Sequence, residues 1–340
     1  MTWQPQRLPP DHPPVASGKI GVLLVNLGTP DEPTPAAVKR YLAEFLSDRR
    51  VIEIPQLVWQ PILRGIILNT RPRKSAEAYQ KVWTDHGSPL AAITRSQAEG
   101  MARRLGDHAH VRYAMRYGNP GIRAQLDELK NLGCDRILVV PLYPQYCAAT
   151  TASVVDRVNA ELGKMRWQPN LRFLPPYYDE PAYIDALAKD VERQLASLAF
   201  DPELLLLSYH GMPQRTFDLG DPYHCHCMKT SRLLSEKIGN DRFRIVTTFQ
   251  SRFGRAKWLE PATDTTLMAE ARAGTRKIAI LAPGFSADCV ETLEELAIAG
   301  REQFCEAGGE EFAALSCLND TAVGMDMLEM LLRRELSGWI

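Results

Sequence analysis

The stretches LLLLSYHG at residues 204–211 and KIAILAPGFSADCVE at 277–291 share one layout. Each starts with an apolar run too short for an ordinary helix and ends in a glycine-containing turn that carries polar side chains. Runs of four to eight apolar residues bounded by turn signals read as buried parallel strands. In an open α/β sheet the ligand crevice lies beyond the carboxyl ends of the strands. His210 and Glu291 are therefore delivered to that edge, where an imidazole and a carboxylate can ligate a metal ion or move protons.

The same alternation extends in both directions. Apolar runs at 20–26, 111–115 and 137–140 precede amphipathic stretches at 35–46, 120–132 and 150–162. In the second of these, Ile122, Leu126, Leu129 and Leu132 recur at helical spacing and Gly133 is a natural stop. The rhythm restarts after residue 170, with runs at 171–174, 204–207, 244–248 and 277–281 and a helix expected near 181–198. Continuous apolar strands separated by helices imply parallel sheets covered on both faces. The expectation is α/β, with two doubly wound domains at 19–166 and 167–316. A proline-rich arm, 1–18, precedes them, and a C-terminal helix within 317–340 packs back on the first domain. VNLGTP at 25–30 echoes SYHGMP at 208–213, which sets Leu27 opposite His210 as an apolar and a reactive wall.

Composition narrows the functional classes. The 340 residues carry 40 Lys and Arg against 41 Asp and Glu, a net charge of -1 that gives no electrostatic reason to expect nucleic acid. No apolar run reaches the roughly 20 residues of a membrane-spanning helix, which leaves peripheral membrane contact open. Seven cysteines, an odd number in a long chain, suit a reducing compartment, so a cytoplasmic protein is expected. Neither Gly-x-Gly-x-x-Gly nor a Walker-type loop is present, which disfavours a nucleotide-binding regulator.

Other side chains carry chemistry. Glu291, Glu294 and Glu295 fall on one face of an α-helix and form an acidic ridge suited to a cation or proton path, although a solvated charged face shows the same spacing. His224-Cys225-His226-Cys227 has the residue types of a zinc site without its spacing, since four consecutive residues cannot converge on one tetrahedral ion. Arg71, Arg73 and Lys74 form a local basic group after the apolar run at 62–68, and Arg116 beside Tyr117 at a strand end suits a planar aromatic ligand bearing carboxylates, although plain surface charge gives the same pattern.

Taken with GSPL at 87–90, YPQY at 143–146, GDPY at 220–223, QSR at 250–252, WL at 258–259 and DCVETL at 288–293, these segments resemble the ferrochelatases from about residue 19 to 320. The resemblance implies two Rossmann-like domains with an interdomain porphyrin cleft and a lyase that inserts Fe²⁺ into protoporphyrin IX. It assigns the metal site and catalysis to His210 and Glu291. Leu27, Arg71, Arg116, Tyr117, Tyr143 and Trp258 would line the porphyrin cleft, with Glu294 and Glu295 on a path for protons or metal. Fe²⁺ is then a substrate and no tightly bound cofactor is expected. Some members of the family carry an iron–sulfur cluster on cysteines near the C-terminus; this chain ends ELSGWI without them, and no cluster is expected. Cys289 stands where some members of the family have a further histidine. A coproporphyrin ferrochelatase, a cobalt or nickel chelatase and a non-catalytic haem or porphyrin carrier remain as alternatives.

Overall fold

The computed structural model describes residues 16–239, 241–254 and 256–340. All but the last three residues of the proline-rich arm lie outside them. Eight strands form two four-stranded sheets. The first holds β1 (Lys19–Thr29), β2 (His110–Gly118), β3 (Cys134–Pro141) and β4 (Asn170–Phe173). The second holds β5 (Leu204–His210), β6 (Arg244–Gln250), β7 (Lys277–Leu281) and β8 (Glu311–Ala314). Their orders are β2-β1-β3-β4 and β6-β5-β7-β8, with every pairing parallel. Adding four to each number of the first order gives the second, so the halves repeat one topology, as the echo at 25–30 and 208–213 suggested.

One expectation is corrected. The run near 171–174, placed at the start of the second domain, pairs with β3, so the first sheet ends only after Phe173. The strand closes the crossover that begins with the helix Ser153–Leu162, and its half-exposed side chains mark it as an edge.

Strand alternation explains the layering, because successive side chains point to opposite faces. Leu23, Val25, Ile137 and Val139 pack outward on the helices Ile122–Asn131 and Ser153–Leu162. Leu204, Leu206, Ile278 and Ile280 do the same on the second sheet. The intervening residues, Val22, Leu24, Leu138 and Val140 with Leu205, Leu207, Ala279 and Leu281, enter one continuous core common to both sheets. The helices Pro89–Leu105, Pro181–Leu195 and Ala322–Glu335 also contribute to this core. The C-terminal helix therefore packs against elements of both halves rather than the first alone.

Candidate active site

The carboxyl ends of β1, β3, β5 and β7 open onto one cleft. Its walls include Leu27, Tyr79, Tyr143, His210, Cys289 and Glu291, and the space enclosed is about 140 Å³. That is below the roughly 300–1,000 Å³ of sites that hold a drug-sized ligand whole. A large flat ligand sits partly outside this volume unless the rim spreads.

Two glycines bring the sheet ends close. A Cβ on Gly28, at φ +117°, would lie 1.8 Å from the Tyr117 carbonyl oxygen of β2. At the matching place in the second sheet, a Cβ on Gly211 would lie 2.5 Å from the Gln250 carbonyl oxygen of β6. Only glycine lets these turns press so tightly on the neighbouring strand, and the residues presented just before them are Leu27 and His210.

His210 is half-buried, and its Nδ1 lies 2.7 Å from the Gly211 carbonyl oxygen. A carbonyl only accepts, so Nδ1 carries the hydrogen and Nε2 holds the free lone pair. A fixed tautomer of this kind suits a base or a metal ligand. Glu291 begins the helix Glu291–Gly300, whose i→i+5 bonding makes it a ten-residue π-helix. Gln250 Nε2 donates to the Glu291 carbonyl at 3.0 Å and anchors that first turn.

The three acids expected on one ridge do not share one set of partners. Glu295 lies near His210. Its pKa is raised, chiefly by burial; bonds donated by Ser251 and the His210 charge oppose the shift, while the Glu291 charge adds to it. Glu294 instead pairs with Lys81 at 2.7 Å, on the helix Leu68–Val82. Burial, then neighbouring charges including Glu291, raises the pKa of Tyr41 and Tyr79 and keeps both phenols protonated. The Cys289 thiol is likewise pushed up by burial and then by the Glu291 carboxylate.

Of the expected cleft residues, Leu27 and Tyr143 line the wall, the latter with a buried hydroxyl that has no partner. Arg116 and Tyr117 do not line it. Arg116 donates to Asp48 and to Ser153, while the Tyr117 hydroxyl reaches Asp48 at 2.8 Å. The buried Asp48 carboxylate needs these donors and draws both side chains behind the wall, where the Tyr117 ring supports Phe45 edge-on at 5.0 Å. Trp258 is also set back. Its indole N–H donates to the Phe253 carbonyl, and its ring lies under Phe253 and against Gly211. Arg71 is exposed and is not among the residues lining the cleft, its guanidinium 4.9 Å from the Phe253 ring centroid.

Tyr79, Ser88, Gln145, Phe285 and Cys289 line the cleft without having been singled out as its walls. The strand-end rule pointed to Gln145 and Phe285, which follow β3 and β7. Tyr79 sits inside a helix, where no local pattern sets it apart.

The side chains of residues 224–227 diverge. His224 stacks near Phe249, Cys225 is exposed, His226 Nδ1 accepts from the Tyr146 N–H and Cys227 is buried. Among the described residues no three His, Cys, Asp or Glu side chains are grouped to hold a metal ion. His210 and Glu291 line the same cleft as an imidazole and a carboxylate.

A family model described as Ferrochelatase matches residues 19–336. The chain belongs to the ferrochelatase family. It is 53% identical over 334 residues to a ferrochelatase of Rhizobium meliloti (strain 1021), covering 97% of this chain and 98% of that one. A ferrochelatase of Agrobacterium fabrum (strain C58) is 52% identical over the full length of both chains. Among solved structures, SirB from Bacillus subtilis with Fe³⁺ superimposes with a TM-score of 0.56 at 12% identity, covering 94% of this chain and 96% of that one. CbiX, described as the terminal enzyme of sirohaem biosynthesis in denitrifying bacteria, gives 0.52 at 14% identity, covering 93% and 100%. These likenesses establish the two-sheet chelatase fold. Ferrochelatases are lyases that place ferrous iron in a porphyrin.

Proposed function

We propose that this ferrochelatase inserts Fe²⁺ into protoporphyrin IX, releasing two protons, with His210 and Glu291 as the metal-site pair. The observation that carries the reading is the His210 tautomer: Nδ1 is committed to the Gly211 carbonyl, and the free Nε2 shares a cleft with Glu291. Insertion exchanges two pyrrole N–H bonds for bonds to iron. A planar macrocycle holds its nitrogen lone pairs in the ring plane, and a close apolar wall at Leu27, Phe45 and Phe285 favours a buckled ring that exposes them. His210 Nε2 accepts the first pyrrole proton and passes it to the neighbouring Glu295 carboxylate, which frees the nitrogen to accept the second, while the Glu291 carboxylate displaces water from the incoming ion. Iron enters as substrate, and the scheme needs no resident cofactor.

An anaerobic assay with protoporphyrin and coproporphyrin, followed optically, tests the substrate. Turnover confined to coproporphyrin, or to Co²⁺ or Ni²⁺, overturns the assignment. His210→Ala should bind porphyrin and not insert iron, whereas tight haem retention without wild-type turnover would identify a carrier.

The surroundings of the cleft favour a further partner and a setting. Ile54, Leu57, Val58 and Ile66 are 43%, 93%, 56% and 57% exposed, next to Arg64 and, on the following helix, Arg73 and Lys74. Apolar side chains flanked by cations suit peripheral contact with an anionic bilayer, and no helix among the described residues is long and apolar enough to cross one. Cosedimentation with anionic but not neutral vesicles is expected, and recovery wholly in the supernatant would count against it. All seven cysteines are free thiols, which supports a cytoplasmic setting.

A further inference from the structure

Among the described residues only Ser251 and Asn319 are non-glycine residues with positive φ, at +63° and +50°. Each grips an acid that flanks Glu291 along the chain. Ser251 donates its backbone N–H and its hydroxyl to the two carboxylate oxygens of Glu295. Asn319 Oδ1 accepts from the Asp288 N–H at 2.8 Å, and its Nδ2 donates to Asp288 Oδ2 at 2.6 Å. Left-handed backbone at a residue other than glycine costs free energy and persists where the surroundings enforce it.

Asp288 is buried, 6% exposed, and no cation pairs with it among the described residues. Donors alone compensate it: Asn319 Nδ2, the Thr292 hydroxyl at 2.9 Å and the Cys317 N–H at 3.3 Å. Thr292 Oγ1 in turn accepts from the Cys289 N–H at 3.0 Å. The bonds thus enclose the turn 288–292 that carries Glu291. Behind it, Gln97 of the helix Pro89–Leu105 donates to the Asn319 carbonyl at 2.9 Å, tying the clamp to the first half of the chain.

We infer that Asn319 is a positioning residue for iron insertion: acting through Asp288, it sets where the Glu291 carboxylate stands relative to His210. A turn residue ahead of the C-terminal helix needs only its backbone angles, which glycine supplies. The two side-chain bonds to Asp288 serve no part of that turn. Removing them frees the start of the π-helix to rotate, and misplacement by about 1 Å costs up to roughly a hundredfold in rate.

The inference rests on Glu291 as the metal-site acid. The experiment measures anaerobic Fe²⁺ insertion by the full-length protein at saturating porphyrin, giving kcat and the KM for Fe²⁺, with porphyrin affinity from fluorescence quenching. Asn319→Gly keeps the turn and deletes the clamp. It should lower kcat by about tenfold or more while porphyrin affinity stays within about twofold. Asn319→Asp sets two carboxylates face to face and should lose more. Asp288→Asn combined with Asn319→Asp exchanges the partners, restores each donor to an acceptor and should recover most of the lost turnover. Wild-type kcat in Asn319→Gly overturns the inference, as does a folded exchange variant no better than Asn319→Asp. Should Asn319→Gly fail to fold, the exchange pair decides. Glu291→Gln is the control: full activity there removes the metal-site reading itself, whereas an inactive Glu291→Gln beside a fully active Asn319→Gly removes the clamp alone.

Discussion

The Arg116 guanidinium and the Asp48 carboxylate form an ion pair whose side chains are only 11% and 10% exposed. Burial pushes the Asp48 pKa upward, but bonds from Ser153, the Arg50 N–H and Tyr117, together with the Arg116 charge, outweigh it and leave the pKa below the ordinary 3.8. Removing one partner strands a buried charge, which costs about 3 kcal/mol. Arg116→Ala should therefore melt well below wild type, and an unchanged denaturation midpoint would show that the pair is not structural. Since Tyr117 backs Phe45, weaker porphyrin binding in this variant follows from a slack wall rather than a lost ligand contact.

Asp48 also fixes a pH response. Its depressed pKa contributes stability above the unfolded value of about 3.8, and that contribution is lost as pH falls through the folded pKa. Asp48→Asn should show a shallower acid loss over that interval. Parallel acid-unfolding curves for the two proteins would contradict the assignment.

Glu295 has the opposite sign. Its pKa lies above the ordinary 4.5, mainly through burial, so the protonated form is the one the fold favours. The stability it contributes is complete below 4.5 and is lost as pH rises through the folded pKa. Glu295→Gln stays neutral, so wild type should lose stability relative to the variant across that window. Equal Tm differences at every pH would remove the buried carboxylate from the account.

Lys81 and Glu294 meet at the surface, where Lys81 is half exposed. Lys81→Ala and Glu294→Gln should each insert iron within about twofold of wild type, because exposed pairs contribute little. Glu295→Gln should lower kcat. Equal losses at 294 and 295 would return both acids to one path.

Gly28→Ala places a methyl against the Tyr117 carbonyl at a positive φ, a strain of about 3 kcal/mol. A variant with wild-type Tm and turnover would show that the strand ends tolerate separation.

What the sequence revealed follows from depth and length. Four consecutive leucines at 204–207 admit little but a buried strand, and the polar turns after β5 and β7 placed His210 and Glu291 at one edge. β8 is four residues of mixed exposure, too short to display a period, whereas 171–174 was legible as a strand but not its pairing with β3, which only the fold decides. The π-helix was hidden because ETLEELAIAG also fits an α-helix, and spacing could not show that Glu294 meets Lys81 while Glu295 meets Ser251, since both partners lie on distant segments. Arg116 and Tyr117 illustrate the remaining gap: a motif locates residues along the chain, but only packing decides whether they face a ligand or stand one layer behind it.

The core common to both sheets bears on how a rigid disc gets in and out. Swinging the halves apart as jaws would wet Leu24, Leu138, Leu205 and Leu281 together, tens of Å² of oil per side chain, at a cost no single substrate repays. A route that keeps this shared core closed runs along the open side of the cleft rather than through a parting of the two sheets.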